Sequence, residues 1–72
     1  MNVVKFMTNQ IKELRQKLNL TQEVLAQKVG IRRETLVFLE QGKYNPSLRL
    51  AYKVAKELGS SLEEVFSFKD EK

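Results

Sequence analysis

Residues 20–42 read LTQEVLAQKVGIRRETLVFLEQG, and the spacing within this stretch decides the fold. Thr21 is a cap residue, because its hydroxyl can accept from a free backbone N–H of a helix's first turn. From Gln22 to about Lys28 the sequence predicts a short helix that buries Leu25, Ala26 and Val29. Gly30 breaks it, within a tight turn Val29-Gly30-Ile31-Arg32 where glycine permits a positive backbone angle that would strain a side chain. A further helix is predicted from about Arg33 to Gln41, with Leu36 and Leu39 facing in and Gly42 ending it. Ala26 faces that following helix, where a small side chain lets the two approach closely. Ile31 and Leu36 fill the angle between them. Alanine, glycine and apolar positions at these offsets make a helix–turn–helix that presents its second helix outward.

Working outward, a first helix is expected from about Asn9 to Leu18, with Ile11, Leu14 and Leu18 on one face. Thr8 or Asn9 can cap its start, and Asn19 can take the left-handed conformation that ends it. Downstream, Pro46-Ser47 opens a fourth helix, with Ser47 as cap and Gly59 as its close. Its apolar residues Leu48, Leu50, Ala51, Val54, Ala55 and Leu58 wrap more than one face, which places it centrally. Ser61-Leu62-Glu63-Glu64 is a capping box and starts a short fifth helix that ends near Val65 or Phe66. Val3-Val4-Lys5-Phe6 and Val65-Phe66-Ser67-Phe68 are short, roughly alternating and β-branched or aromatic. They could pair as a ribbon joining the termini, or fray. A lone ribbon is marginal in water, so it needs packing on the helices or on a second subunit.

At 72 residues the chain is read as one domain, 1–72, and with 42% hydrophobic residues it lies near the lower limit for a self-supporting core. It has no cysteine and no histidine. That excludes disulfide staples, thiolate zinc sites, a Cys nucleophile and the commonest general base. No pair of titratable residues has a reason to converge, so no enzyme, cofactor or metal is expected. The net charge of +4 is unevenly spread: residues 1–53 carry +6 and residues 54–72 carry −2. A basic body with a mildly acidic end points to a polyanionic partner, with plain solubilising charge as the bland alternative. No stretch reads as a targeting segment or approaches the roughly 20 apolar residues that span a bilayer. A cytoplasmic protein with no membrane partner is expected.

The run Leu20-Thr21-Gln22-Glu23, Leu25-Ala26-Gln27-Lys28-Val29-Gly30, Thr35-Leu36 and Leu39-Glu40-Gln41-Gly42-Lys43 resembles the lambda-repressor-like (Cro/Xre) helix–turn–helix family. The likeness covers about residues 9–66, with the helix–turn–helix at about 22–41. Lys43-Tyr44-Asn45-Pro46-Ser47-Leu48 followed by Leu50-Ala51 resembles a subgroup of minimal bacterial and archaeal regulators. Some of those are a DNA-binding domain alone, with a terminal β-ribbon, and work as homodimers. The resemblance therefore implies an all-α, five-helix domain with a short two-stranded antiparallel ribbon pairing the termini. It also implies a double-stranded DNA partner. On the same ground Thr21 and Gln22 are expected at a DNA phosphate, helped by the helix dipole. Arg15 and Glu40 occupy the positions of a structural ion pair. The loop Gln41–Asn45, with Lys43, Tyr44 and Asn45, is similar to the family's second phosphate clamp.

Base reading is expected from the exposed face of the third helix: Arg32, Arg33, Glu34, Val37 and Phe38. Arginine can take guanine O6 and N7 together, while Glu34 could accept from cytosine N4 or orient a neighbouring arginine. Thr35 is expected to touch a phosphate or to pack. Two features depart from the family pattern. Arg32 stands where Ser or Thr more often caps, so this helix is expected to start loosely. Val37 and Phe38 are apolar where polar readers are common, and thymine-methyl contact or a protein interface would explain them. A dimer surface is expected in the last third of the chain, at Leu62, Val65, Phe66 and Phe68. The leading expectation is a sequence-specific regulator, a repressor that blocks polymerase, bound as a homodimer to an inverted repeat. The alternative is an antitoxin-like or bridging domain whose main partner is another protein.

Overall fold

The computed structural model describes the backbone of residues 4–70 and the side chains of residues 8–67. Its elements are β1 (Val4–Asn9), α1 (Ile11–Lys17), α2 (Gln22–Val29), α3 (Arg33–Glu40), α4 (Leu48–Leu58), α5 (Leu62–Val65) and β2 (Phe66–Asp70). Among the described residues, no helix is long and apolar enough to cross a membrane.

The four longer helices end alike. Just past each, one residue takes a left-handed angle: Asn19 (φ 59°), Gly30 (φ 79°), Gly42 (φ 75°) and Gly59 (φ 68°). Its N–H and that of the next residue turn back onto the helix. Asn19 donates to Gln16 and Leu20 to Arg15; Gly30 donates to Gln27 and Ile31 to Ala26. The same pair recurs from Gly42 to Leu39 and Lys43 to Phe38, and from Gly59 to Lys56 and Ser60 to Ala55. These bonds satisfy carbonyls that a helix end leaves without partners, and they turn the chain sharply. The residues that follow Asn19 and Gly30, Leu20 and Ile31, then pack against the core. At Gly30 an added Cβ would meet nothing within 4 Å, so it is the backbone angle and not crowding that favours glycine there.

Three helix starts use the expected side chains. Thr21 Oγ1 accepts from the Val24 N–H at 3.1 Å, and Ser47 Oγ accepts from the Leu50 N–H at 3.1 Å. Ser61 Oγ accepts from Glu64 N–H at 3.1 Å while Glu64 Oε1 accepts from Ser61 N–H at 2.8 Å, completing the capping box. α3 is the exception: Arg32 precedes it and makes no capping bond from its side chain.

All five helices contribute to one core, through the fully buried Ile11, Leu25, Leu36, Leu39, Val54 and Val65. α4 gives it five buried residues, Leu50, Ala51, Val54, Ala55 and Leu58, and lies against α1, α2 and α5. The ribbon is present as an antiparallel pair, with Met7 opposite Phe68, Thr8 opposite Ser67 and Asn9 opposite Phe66, and an irregularity between Val4 and Phe6. Val3, part of the expected ribbon, lies outside the described residues.

Four expectations need correction. The first strand runs on through Thr8 and Asn9, so α1 starts two residues late, at Ile11, and Thr8 caps nothing. Asn9 still serves that start from one position further out, its Oδ1 accepting from the Ile11 N–H at 3.2 Å. Leu18 is 49% exposed, because α1 stops at Lys17 and the chain turns before Leu18 can complete the inward face. Leu48 is 75% exposed, since it sits at the first turn of α4 beyond the reach of the core. Val65 fails as a dimer contact because α5 points it into the chain's own core, where it is fully buried.

Candidate nucleic-acid interface

The helix–turn–helix is built as the spacing requires. Ala26 is buried where α2 meets α3, and Gly30 turns the chain between them. Leu36 and Leu39 anchor α3 in the core. The opposite face of α3 is open: Arg32, Arg33 and Glu34 are exposed, Phe38 is 50% exposed, and Thr35 and Val37 are half-buried flanks. A helix turns 100° per residue, so Glu34 and Phe38, four apart, stack on that open face. Among the described residues Glu34 makes no hydrogen bond or ion pair. Nothing there ties it to a neighbouring arginine.

The carboxyl end of α3 is clamped. Arg15 donates from Nε to Glu40 Oε2 at 2.8 Å and from Nη2 to Oε1 at 3.4 Å, while its Nη1 donates to the Leu20 carbonyl at 2.8 Å. The pair is nearly sealed, with side-chain exposures of 9% and 5%. Such a pair fixes geometry more than it adds stability. Gln22 joins it, donating from Nε2 to Glu40 Oε1 at 3.1 Å. Asn9 reaches in from β1, its Nδ2 donating to the Leu39 carbonyl at 2.9 Å. The Gln22 and Asn9 links were not foreseen from the sequence. No periodicity marks a polar side chain that bridges 18 or 30 residues of chain.

The residues expected at phosphates flank this clamped end. Gln22 sits against Glu40, and its amide keeps one further donor. Thr21 spends its oxygen on the Val24 N–H, which leaves its hydroxyl proton to donate outward. Lys43, Tyr44 and Asn45 follow α3 directly and are exposed. The structure thus gathers the exposed face of α3, the start of α2 and the loop after α3 around one helix.

The remaining expected residues lie elsewhere. Leu62 is half-buried, Phe66 is 7% exposed, and the Phe68 side chain falls outside the described residues. The free apolar surface of this end is carried by Leu48 and by Tyr52, 57% exposed. Beside Leu48 lies an open groove of about 440 Å³, lined by Pro46, Leu48, Ala51, Leu62 and Phe66 among others. The signal was available, because Leu48 and Tyr52 are four apart and off the Leu50–Val54–Leu58 face.

Two packed helices joined by a turn with glycine at its bend, an outward-facing second helix and a basic setting define a DNA-binding helix–turn–helix. A family model described as helix-turn-helix matches residues 11–65. The chain belongs to this Cro/Xre-like family, a family of DNA-binding regulators and not of enzymes. It is 60% identical, over 90% of its length and 93% of the relative's, to an uncharacterized HTH-type transcriptional regulator of Archaeoglobus fulgidus. Among solved structures it is similar to the restriction-modification controller protein C.AhdI from Aeromonas hydrophila. The TM-score is 0.71 at 34% identity, over 76% of this chain and 83% of that one. It is also similar to the clp gene regulator ClgR from Corynebacterium glutamicum, with TM-score 0.69 and 27% identity over 72% of this chain. There it spans 55% of the other chain's length.

Proposed function

We propose that this chain is a cytoplasmic, sequence-specific repressor that binds double-stranded DNA as a homodimer on an inverted repeat. The observation that carries the reading is the open face of α3, Arg32, Arg33, Glu34 and Phe38, on a helix whose far end is fixed by Arg15, Gln22 and Asn9. A rigid helix entering the major groove turns side-chain identity into base preference. Arg33 takes a guanine edge, Val37 and Arg32 border the readout, and Thr35 meets a phosphate. Thr21 and Gln22 hold one phosphate before α2, and Lys43, Tyr44 and Asn45 hold another after α3. Residues 1–72 act as one domain. One such domain covers few base pairs, so two are needed, about 34 Å apart along the duplex. The two copies meet through Leu48, Tyr52 and Leu62, with Phe66 and Phe68 at the margin. Leu48 and Tyr52 supply free apolar surface on α4, and Leu62, Phe66 and Phe68 fall in residues 54–72, where the net charge is −2. Repression follows from occupying the operator against polymerase.

The test is a selection on random duplex DNA at near-physiological salt. Recovery of an inverted repeat with half-site centres about 10–11 base pairs apart supports the reading. Weak, sequence-blind binding that collapses with added salt refutes it and leaves only the charge. Phe38, half-exposed on a helix face, favours a second reading in which this face docks another protein. Phe38→Ala separates the two. Lost DNA affinity with the dimer intact supports base readout, and unchanged DNA affinity with lost protein binding supports the second reading.

A further inference from the structure

We propose that α3 selects a 5-methylcytosine, taking the base's 4-amino group on Glu34 and its 5-methyl group on Phe38. The inference rests on the DNA-binding reading above and concerns what the same helix face prefers. Glu34 and Phe38 are one turn apart, so their Cβ atoms lie about 5–6 Å from each other. Both point away from the buried Leu36 and Leu39. Glu34 is exposed and, among the described residues, without a hydrogen-bond or ion-pair partner, so its carboxylate is free to meet a base. Phe38 offers an apolar ring at 50% exposure in the same stripe.

A carboxylate is an acceptor only. In the major groove it suits the N4 amino group of cytosine, and it is repelled by thymine O4 and by guanine O6 and N7. Adenine also offers an amino group, but it carries no methyl and sets an acceptor, N7, beside it. An apolar ring suits a C5-methyl group, which only thymine has among the four ordinary bases. The stripe therefore asks for a donor and a methyl side by side. Thymine sets its methyl beside an acceptor, and cytosine sets its donor beside a bare C–H. 5-Methylcytosine carries both groups on adjacent ring carbons.

The experiment uses the full chain and two random duplex libraries, one unmodified and one with every cytosine 5-methylated. Each cytosine of the recovered half-site is then set in turn to 5-methylcytosine, cytosine or thymine, and affinity is read by fluorescence anisotropy at fixed salt. At one position per half-site, 5-methylcytosine should bind roughly fourfold tighter than cytosine, the fold-change of one buried methyl group. The same position should prefer 5-methylcytosine over thymine by roughly fivefold or more. Phe38→Ala should erase the first preference and keep the second, and Glu34→Gln should do the reverse. Circular dichroism confirms that both surface variants stay folded. Equal affinity for cytosine and 5-methylcytosine throughout a specifically bound site overturns the inference and leaves the DNA-binding reading standing. A methyl effect that follows only thymine, seen on replacing it with uracil at a neighbouring pair, also overturns it. No sequence-selective binding to either library overturns both.

Discussion

Replacing Glu40 with alanine removes the acceptor from three hydrogen bonds at once, two from Arg15 at 2.8 and 3.4 Å and one from Gln22 at 3.1 Å. The Arg15 guanidinium keeps only its bond to the Leu20 carbonyl. With the pair's side chains 9% and 5% exposed, water has little room to replace what is lost. Leaving one partner of a buried pair alone costs about 3–5 kcal/mol. At about 0.05–0.15 kcal/mol per residue, a chain of this size has about 4–11 kcal/mol of stability in all. Glu40→Ala should therefore remove around half of it. Removing both charges together, as Arg15→Met with Glu40→Ala, leaves no buried charge unpaired and should cost less than the sum of the two single changes. The double-mutant cycle should show a coupling of at least about 2 kcal/mol. Urea unfolding followed by circular dichroism reads it, run over a wide range of protein concentration so that self-association is separated from folding. If Glu40→Ala costs under about 1 kcal/mol, or the two changes simply add, the pair behaves like an exposed one. It then does not hold α3 in place.

Three other outcomes are expected. Gly30→Ala should lower stability by about 1–2 kcal/mol through its positive φ alone, and Gly30→Asn by less; thermal melting checks both, and equal losses would point to crowding, which the open space at Gly30 contradicts. On a selected operator, Arg33→Ala should cost about 1–3 kcal/mol and relax preference at one base pair, whereas Gln22→Ala should weaken all sequences about equally. Competition binding against a panel of single-base variants distinguishes them, and an exchange of the two patterns would reverse the roles. Leu48→Asp should shift sedimentation velocity towards the monomer with the helical signal unchanged, because Leu48 is 75% exposed and outside the core; an unchanged association state would remove Leu48 from the dimer surface.

Local chemistry made most of the fold legible. Thr21, Ser47 and Ser61 each cap the helix that their position promised, and Asn19, Gly30, Gly42 and Gly59 each end one. These signals act within four or five residues, so no tertiary context is needed to read them. Leu18 and Val65 depart from their sequence pattern for the opposite reason. Whether an apolar residue faces the core at a helix end depends on where the next segment leaves, and that is set by packing. Thr8 and Asn9 read as a helix start as readily as a strand end, because strand and cap residues overlap there. The choice was decided by pairing with Ser67 and Phe66, nearly 60 residues on. At the candidate interface the Arg15–Glu40 pair came through family resemblance, while the Gln22–Glu40 and Asn9–Leu39 bonds were invisible for want of any spacing rule.

Those unread bonds give the ribbon a bearing on the recognition helix. β1 delivers Asn9 to the Leu39 carbonyl, and the Gln10 N–H donates to the Val65 carbonyl at 2.8 Å, tying the strand to α5. Leu39 is in the last turn of α3, where carbonyls lack partners within the helix. Its oxygen takes both Asn9 and the Gly42 N–H. Glu40, one residue on, takes Arg15 from α1 and Gln22 from α2. Three elements thus grip one end of α3. Its other end starts at Arg32 with no capping bond from the side chain. A helix held at its carboxyl end and uncapped at its amino end can fix its approach to a groove while leaving Arg32 and Arg33 room to adjust. On the proposed reading, rigidity there would set the register on the backbone, and freedom at the tip would let Arg32 and Arg33 meet base edges. On this reasoning Asn9, far from any base, helps fix how α3 approaches the DNA.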